Sequence, residues 1–251
     1  MKKQAHISAF GFLSLLLIIC SRPAAIAQEE VDDQSEFDYV KGSSKGPDKW
    51  GVIHEEWATC KYGDEQSPID LMNKRVELQW AGSAGSLQSN GINYDLQQCH
   101  WHSPSEHTIN GKRFALELHM VHQIIDPILG NRTAVIGILY KIGRPEAFLS
   151  ELEKDIKSIT DSQKEINVGI VDPRHIKVAG KKYYRYIGSL TTPPCTEGVL
   201  WTISKRVRTV SIEQVKLLRT AVHDSAENNA RPLQPLNDRD ILFYKLKERP
   251  G

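Results

Sequence analysis

The stretch from Gln98 to Gln123, QCHWHSPSEHTINGKRFALELHMVHQ, decides the fold prediction, because it indicates two antiparallel strands joined by a turn. Its centre, Asn110-Gly111, is typical of a tight two-residue hairpin turn in which both central residues have positive φ. With the turn placed there, the numbers of opposed residues sum to 221, so His102 lies directly opposite His119.

Three histidines of this stretch are predicted to share one face of the sheet. His100 precedes His102 by two residues and therefore points the same way, toward His119 on the opposed strand. Three converging imidazoles match a catalytic zinc site, which has three protein ligands and leaves the fourth tetrahedral position to water. Gln98 and Glu117 each lie two residues before a ligand and can accept its outer ring N–H, which fixes the tautomer.

The other two histidines of the stretch are predicted to be structural. His107 and His122 fall on the opposite face by the same alternation. A single strand histidine is usually a hydrogen-bonded structural residue, and it is the shared register of three that favours a metal site. The prediction assumes a regular ladder, and Pro104 makes a bulge possible.

These motifs resemble those of the α-type carbonic anhydrases, most closely the plant members. The similar segments run from about Phe37 to about Tyr244. They comprise QSPID (66–70), HWH (100–102), SEHT (105–108), ELHMVH (117–122), GSLTTPPC (188–195) and NARP (229–232). The resemblance implies one domain over residues 37–246, mostly β (α+β), with a central twisted, mainly antiparallel sheet and short peripheral helices.

Hydrophobic patterning elsewhere agrees with that fold class. Apolar runs predict strands at 133–142, 183–189 and 199–204. Apolar residues spaced three or four apart predict helices at 145–156 and at 211–222, the second beginning with a serine cap.

The resemblance also implies an enzyme, a carbonate dehydratase that uses zinc. Its reaction is the reversible hydration of carbon dioxide to bicarbonate and a proton by zinc-bound hydroxide, with zinc on His100, His102 and His119. Thr191 would accept a hydrogen bond from the hydroxide, and Glu106 would accept one from the threonine hydroxyl. Alternation along the strand independently places Glu106 on the face of His100.

Substrate contacts are implied in the same way. Thr192 would lie beside bicarbonate, and Tyr39 near the mouth of the cavity. The predicted register places Val121 opposite His100, which agrees with a role in the apolar pocket for carbon dioxide. The resemblance assigns to that pocket Val121, Val135, Leu190, Val199 and Trp201.

The chain as a whole suits one secreted domain. Its 251 residues carry 32 basic and 31 acidic side chains, without the basic stripe expected of a nucleic-acid-binding protein. Residues 1–27 are predicted to be a signal peptide with a mature start near Gln28, followed by a mobile acidic segment at 28–36. The apolar run is too short to span a membrane, and a retained anchor is the alternative. The route is secretory, to a secreted or apoplastic location, or alternatively to the plastid stroma, which some plant members reach.

Cysteine usage fits that route. Cys20 leaves with the leader, and the resemblance implies a disulfide between Cys60 and Cys195. Cys99 faces away from the ligands and is predicted to be a small buried hydrophobe. Asn131 begins a glycosylation sequon, predicted to lie in a polar turn.

The chain departs from the family between Asp70 and Gln98, where the domain is predicted to be truncated over residues 71–97. The family has two further strands there and a histidine that shuttles protons to solvent, but no histidine occurs from 71 to 99. His54, in the N-terminal arm, is the conceivable substitute. A skipped exon or a faulty gene model is the economical explanation.

We therefore expect slow proton transfer and open sheet edges. The alternatives are a non-catalytic storage or binding protein on the same scaffold and a poorly folded product. Retention of all three zinc histidines argues against the first of these.

Overall fold

The computed structural model describes residues 18–19, 36–71, 86–89, 91–126, 130–162, 182–221 and 228–245. Most of the predicted signal peptide and acidic segment, and residues 72–85 of the divergent segment, lie outside these ranges. No helix within the described ranges is long and apolar enough to cross a membrane.

Within these ranges the chain consists mainly of β-strands, with α-helices at a few places between them. The strands are β1 (Ile18–Ile19), β2 (Asp70–Leu71), β3 (Ser86–Ser89), β4 (Ile92–His102), β5 (Thr108–Ile109), β6 (Lys112–Arg113), β7 (Leu116–Asp126), β8 (Gly130–Ile142), β9 (Lys182–Ser189), β10 (Glu197–Ser204), β11 (Arg208–Val210) and β12 (Leu242–Lys245). The α-helices are α1 (Trp50–Ile53), α2 (Thr59–Tyr62), α3 (Ala147–Ser162) and α4 (Ile212–Ala221).

One large sheet forms the centre of the described structure. Its strand order is β1-β4-β7-β8-β10-β9-β12, with β3 paired to β4 and β11 to β8. Neighbours run antiparallel except that β8 pairs in parallel with β10 and β11. A small second sheet has the order β2-β5-β6. The predicted fold class, mostly β with a mainly antiparallel central sheet and short peripheral helices, is confirmed.

The predicted register was wrong by two residues. Pairing that sums to 221 holds beside the Asn110-Gly111 turn, between β5 and β6. In the large sheet His100 pairs with His119, and His102 pairs with Glu117. The ladder is interrupted between the two sheets by five residues on one side and two on the other, so the turn does not set the register of β4 and β7. Because the shift is an even number, the three histidines at 100, 102 and 119 keep their predicted face.

One consequence concerns the predicted partner of Val121. It lies opposite Gln98 rather than His100, beside an irregularity in β4 between Leu96 and Gln98. Val121 follows His119 by two residues and still shares its face of the sheet. The corrected register therefore changes the residue opposite Val121 but not its side of the sheet.

The face of the sheet away from the histidines packs against α3 and α4. Cys99 and Trp101 are buried there with Leu118 and Phe148, and the Trp101 ring stacks on that of Phe148. Cys99 is a buried cysteine outside the disulfide, as predicted. The helix predicted at 211–222 is close to the observed α4, whereas α3 begins two residues later than predicted and continues to Ser162, six residues beyond the predicted end.

Ser211 caps the second of these helices. Its hydroxyl accepts a hydrogen bond from the backbone N–H of Gln214 at 3.1 Å. The side-chain oxygen of Gln214 in turn accepts a hydrogen bond from the backbone N–H of Ser211 at 3.2 Å. This reciprocal pair is a capping box, and it satisfies two N–H groups at the helix start.

The N-terminal arm is fastened to the domain by aromatic packing and a disulfide. Trp50 and Trp57 are buried beside the bridge between Cys60 and Cys195, whose Cα atoms are 5.0 Å apart. The predicted pairing of these two cysteines is therefore present. Asn131 is exposed, but it lies in β8, and its predicted placement in a turn was wrong because the strand already begins at Gly130.

Candidate active site

Three imidazole rings converge on one face of β4 and β7. The ring centroids of His100 and His102 are 5.0 Å apart, those of His100 and His119 are 5.1 Å apart, and those of His102 and His119 are 4.6 Å apart. One nitrogen of each ring lies within 4.8 Å of the other two. All three side chains are buried.

The outward nitrogen of each ring is held by an acceptor. Gln98 Oε1 lies 3.2 Å from His100 Nδ1, the backbone carbonyl of Asn229 lies 2.7 Å from His102 Nδ1, and Glu117 Oε1 lies 3.0 Å from His119 Nε2. Each outward nitrogen can therefore carry the ring proton. The inward nitrogens are then lone pairs, which is the form that binds a cation.

The inward nitrogens leave a place for a cation. His102 Nε2 is buried without a hydrogen-bond partner among the described residues. His119 Nδ1 and His100 Nε2 face each other at 3.3 Å, although neither carries a proton when both rings donate outward. Buried acceptors are normally satisfied, so these three atoms fit a metal ion that prefers imidazole, such as zinc.

The charge state of the rings agrees with that fit. Burial, together with the neighbouring histidines, lowers the pKa of His100 well below 6.5, and burial also lowers the pKa of His119. Both rings are consequently neutral near pH 7. For Glu117, burial alone would raise the pKa, but His107 and His119 outweigh it and hold the pKa well below 4.5.

His107 lies in the site region, contrary to the prediction that placed it on the opposite face. Its Nδ1 is 2.7 Å from Glu117 Oε1, and its Nε2 is 2.6 Å from the hydroxyl of Tyr186. The hydroxyl of Ser67 lies 2.8 Å beyond Tyr186. Strand alternation did not apply, because His107 follows the end of β4 at His102.

A second trio that could reach a cation consists of His107, Glu117 and His119. Its atoms already pair with one another, since Glu117 Oε1 accepts from both rings. The other carboxylate oxygen of Glu117 accepts the backbone N–H groups of Glu106 and His107 at 2.9 and 2.8 Å. This trio is a hydrogen-bonded support for His119 and not a second metal site.

Glu106 lies close to the triad, but it also follows the end of β4, so alternation along that strand does not account for its position. It is fully buried, and its Oε1 accepts the backbone N–H of Arg231 at 2.9 Å and lies 3.6 Å from His102 Nδ1. Its Oε2 is buried and has no hydrogen-bond partner within the described residues. Thr191 is also buried, but the predicted hydrogen bond from its hydroxyl to Glu106 is not formed.

Apolar side chains line the same side of the sheet. Trp201 lies against the site, with its ring centroid 4.8 Å from those of both His107 and His119. The residues predicted to hold carbon dioxide share one cluster, in which Leu190 packs against the buried side chains of Val121, Val135, Val199 and Trp201. Thr192 is buried next to Thr191, and Tyr39 lies in the aromatic cluster of the N-terminal arm.

Sequence reasoning missed Asn229, Tyr186 and the backbone role of Arg231. All three are distant in sequence from the side chains that they support, which are His102, His107 and Glu106. The NARP motif at 229–232 was visible, but nothing in it indicated a contact with His102.

Comparison with known proteins is decisive at the level of the family. A family model described as eukaryotic-type carbonic anhydrase matches residues 81–245. The chain belongs to the eukaryotic-type carbonic anhydrases. Alpha carbonic anhydrase 7 of Arabidopsis thaliana is 47% identical to it over 276 aligned positions, which include 98% of this chain and 99% of the relative. Carbonic anhydrase Nec1 of Nesocodon mauritianus is 45% identical, with 99% of each chain covered.

A solved structure of dioscorin complexed with ascorbate shows the same fold. It superposes with a TM-score of 0.78 at 41% identity, and the match covers 87% of this chain and 100% of that one. The family therefore includes a chain that carries the name dioscorin as well as chains named carbonic anhydrases.

The alignment length bears on the divergent segment. The match to the Arabidopsis relative spans 276 positions, whereas 98% of a 251-residue chain is about 246 residues. About thirty positions of this carbonic anhydrase relative thus have no counterpart in this chain.

Proposed function

We propose that this chain catalyses the reversible hydration of carbon dioxide to bicarbonate and a proton, with one zinc ion held by His100, His102 and His119. One observation carries the proposal: in each of the three buried rings the outward nitrogen faces a hydrogen-bond acceptor, so the inward nitrogen is left as a lone pair. A zinc ion bound there would lower the pKa of its water ligand to about 7 and so supply a nucleophile at neutral pH.

Glu106 and Thr191 orient that nucleophile in the proposal. An ionised carboxylate can only accept hydrogen bonds, so a Thr191 hydroxyl that donates to Glu106 Oε2 must turn its lone pairs toward the nucleophile. The unpaired, buried Oε2 is available for this contact. The nucleophile would then donate a hydrogen bond to the hydroxyl oxygen of Thr191 and keep a lone pair for the substrate.

The apolar cluster positions carbon dioxide. This substrate is small and non-polar, and it gains little from hydrogen bonds but is favoured by a surface that excludes water. Val121, Val199 and Trp201 present such a surface beside His119. Thr192, beside Thr191, contacts the bicarbonate that forms.

The test is zinc content and hydration rate measured on the same preparations. His119→Ala should lose stoichiometric zinc and carbon dioxide hydration together, because one of three ligands and the partner of Glu117 are removed. His122→Gln is the matched control, since His122 lies three residues further along β7 and donates its ring N–H to the backbone of Met120. It should keep both. Stoichiometric zinc in His119→Ala would contradict the ligand assignment.

A non-catalytic protein on the same scaffold is the second candidate, and the match to dioscorin favours it. Zinc analysis and activity separate the two. Zinc-loaded wild-type protein that hydrates carbon dioxide no faster than buffer supports the non-catalytic candidate.

We further propose that the chain enters the secretory route through a leader ending near Ala27. The sequence Lys2-Lys3 followed by an apolar run supports this, and the disulfide suits an oxidising compartment. N-terminal sequencing of the protein from the extracellular space should begin near Gln28. Recovery from the plastid stroma would favour the alternative compartment.

A further inference from the structure

We propose that Arg231 is a positioning residue for Glu106, and that it couples this carboxylate to the disulfide-bridged N-terminal arm. The inference rests on the proposed function, because Glu106 acts in the reaction proposed above. It assigns to Arg231 an effect on catalysis that acts through Glu106, without contact with substrate.

The guanidinium of Arg231 is a buried clamp on the N-terminal arm. The side chain is 1% exposed, and its Nη1 donates to Gln66 Oε1 at 3.0 Å and to the Ser67 carbonyl at 2.8 Å. Its Nη2 donates to the carbonyl of Cys60 at 2.9 Å, and the group lies 5.5 Å from the ring centroid of Trp50. Four contacts from one planar group fix where the backbone of residue 231 lies.

That backbone in turn holds Glu106. The N–H of Arg231 donates to Glu106 Oε1 at 2.9 Å and leaves Oε2 free. Two residues earlier, the carbonyl of Asn229 accepts from the ring of His102 at 2.7 Å. One short segment therefore sets both a predicted zinc ligand and the predicted partner of Thr191.

The arm to which Arg231 is clamped also reaches the Thr191 loop. Cys60, whose carbonyl accepts from Arg231, is bridged to Cys195, four residues after Thr191. The Gln66 amide, which accepts from Arg231, donates to the Cys195 carbonyl at 3.3 Å. Glu106 and Thr191 are thereby located by the same arm from two directions.

Charge supports the clamp. Burial lowers the pKa of Arg231 to about 10, and the carboxylate of Glu106 favours the charged form, so the guanidinium remains a cation near pH 7. A buried cation is held by partners that surround it, and removing it leaves the carboxylate less compensated.

A double-mutant cycle tests the coupling. Arg231→Met should lower kcat/KM by about tenfold in zinc-loaded protein, which corresponds to about 1.4 kcal/mol. In a Glu106→Gln background the same change should cost less than twofold, because the group through which Arg231 acts is already altered. Arg231→Lys keeps the charge but loses the planar guanidinium, so its kcat/KM should lie between those of the wild type and Arg231→Met.

Arg239→Met is the matched control. Arg239 also clamps the arm, donating to the Gln66 carbonyl at 2.8 Å, and its guanidinium lies over Tyr186, but no hydrogen bond joins it to Glu106. Its effect on kcat/KM should be the same in both backgrounds. Equal losses for Arg231→Met in both backgrounds would show a merely structural role and overturn the proposal.

Amide hydrogen exchange gives a readout that does not depend on activity. In zinc-free protein, Arg231→Met should speed exchange of the residue-231 amide at least about tenfold, and Arg239→Met should not. Unchanged exchange at residue 231 overturns the proposal even if the zinc-loaded wild type is inactive. An inactive wild type with the predicted exchange pattern rejects the proposed reaction and leaves the clamp supported. If Arg231→Met does not fold, Arg231→Lys carries both measurements.

Discussion

At the scale of single residues, Glu117 decides which nitrogen His119 presents to the centre of the site. Its carboxylate is ionised because the two neighbouring histidines hold its pKa low, and an ionised carboxylate only accepts. His119 must then donate from Nε2, which leaves Nδ1 facing His100. The choice of tautomer follows from one acidic side chain two residues away in the strand.

His122 gives a prediction about acid stability. Burial lowers the pKa of His122 to about 4 from 6.5. The unfolded chain binds a proton on this ring more readily than the folded protein does. The contribution of the neutral ring to the free energy of unfolding is therefore complete above pH 6.5 and is lost as the pH falls toward 4. By pH 4.5 the loss should be about 2 to 3 kcal/mol.

Urea unfolding at pH 7.5 and 4.5 measures that loss. In His122→Gln the fall in unfolding free energy between the two pH values should be smaller by about 2 kcal/mol than in the wild type. Equal falls in both proteins would show that His122 is not the titrating group.

At the scale of elements, alternation along a strand predicted more than the turn did. The faces of His100, His102 and His119 followed from a period of two, which holds along any regular strand. The register did not, because the turn at Asn110-Gly111 closes a separate small sheet and other residues lie between it and β4. His107 was misplaced for the same reason, since it follows a strand end that the sequence did not mark.

The disulfide gives the prediction for the N-terminal arm. Cys60 and Cys195 are 135 residues apart, so the bridge restricts the unfolded chain, and it should stabilise the fold by about 2–4 kcal/mol, the typical range for disulfides. Urea unfolding with and without reductant should show that difference. Cys60→Ser/Cys195→Ser is the control, and it should be less stable and insensitive to reductant. A wild type insensitive to reductant under conditions that cleave the bridge would contradict the expectation.

At the scale of the whole molecule, the motifs predicted the fold and the cluster of three histidines, while the contacts that support this cluster come partly from distant segments. Asn229 illustrates this. Its side-chain amide donates a hydrogen bond to the backbone carbonyl of Trp101 and accepts one from the N–H of Ser103. Its backbone carbonyl accepts a hydrogen bond from the ring of His102. Its side chain therefore contacts the backbone of residues 101–103, beyond the part of β4 that pairs with β3 and β1. A local sequence pattern could not reveal this contact, because it joins residues more than 120 positions apart.

Proton export is where the shortened segment should matter. Each hydration turnover releases a proton that must leave the site, and no histidine occurs from residue 71 to residue 99. His54 packs against Trp57 at 4.4 Å in the N-terminal arm, beside Glu36 and Glu56. The hydrogen-bond partners of the three histidines proposed to bind zinc are nevertheless all present. We therefore expect the chemical step and the proton-transfer step to separate.

The expected result is a substantial kcat/KM with a low kcat in dilute buffer, because kcat requires a proton acceptor within reach and kcat/KM reports attack on carbon dioxide. Imidazole buffers should raise kcat in proportion to their concentration and leave kcat/KM nearly unchanged. Inserting the family segment with its histidine between Asp70 and Gln98 should remove most of that dependence, while His54→Ala should not alter it. A high kcat in dilute buffer that imidazole does not change would mean that another group exports the proton. If His54→Ala then lowered kcat, the N-terminal arm would supply that group.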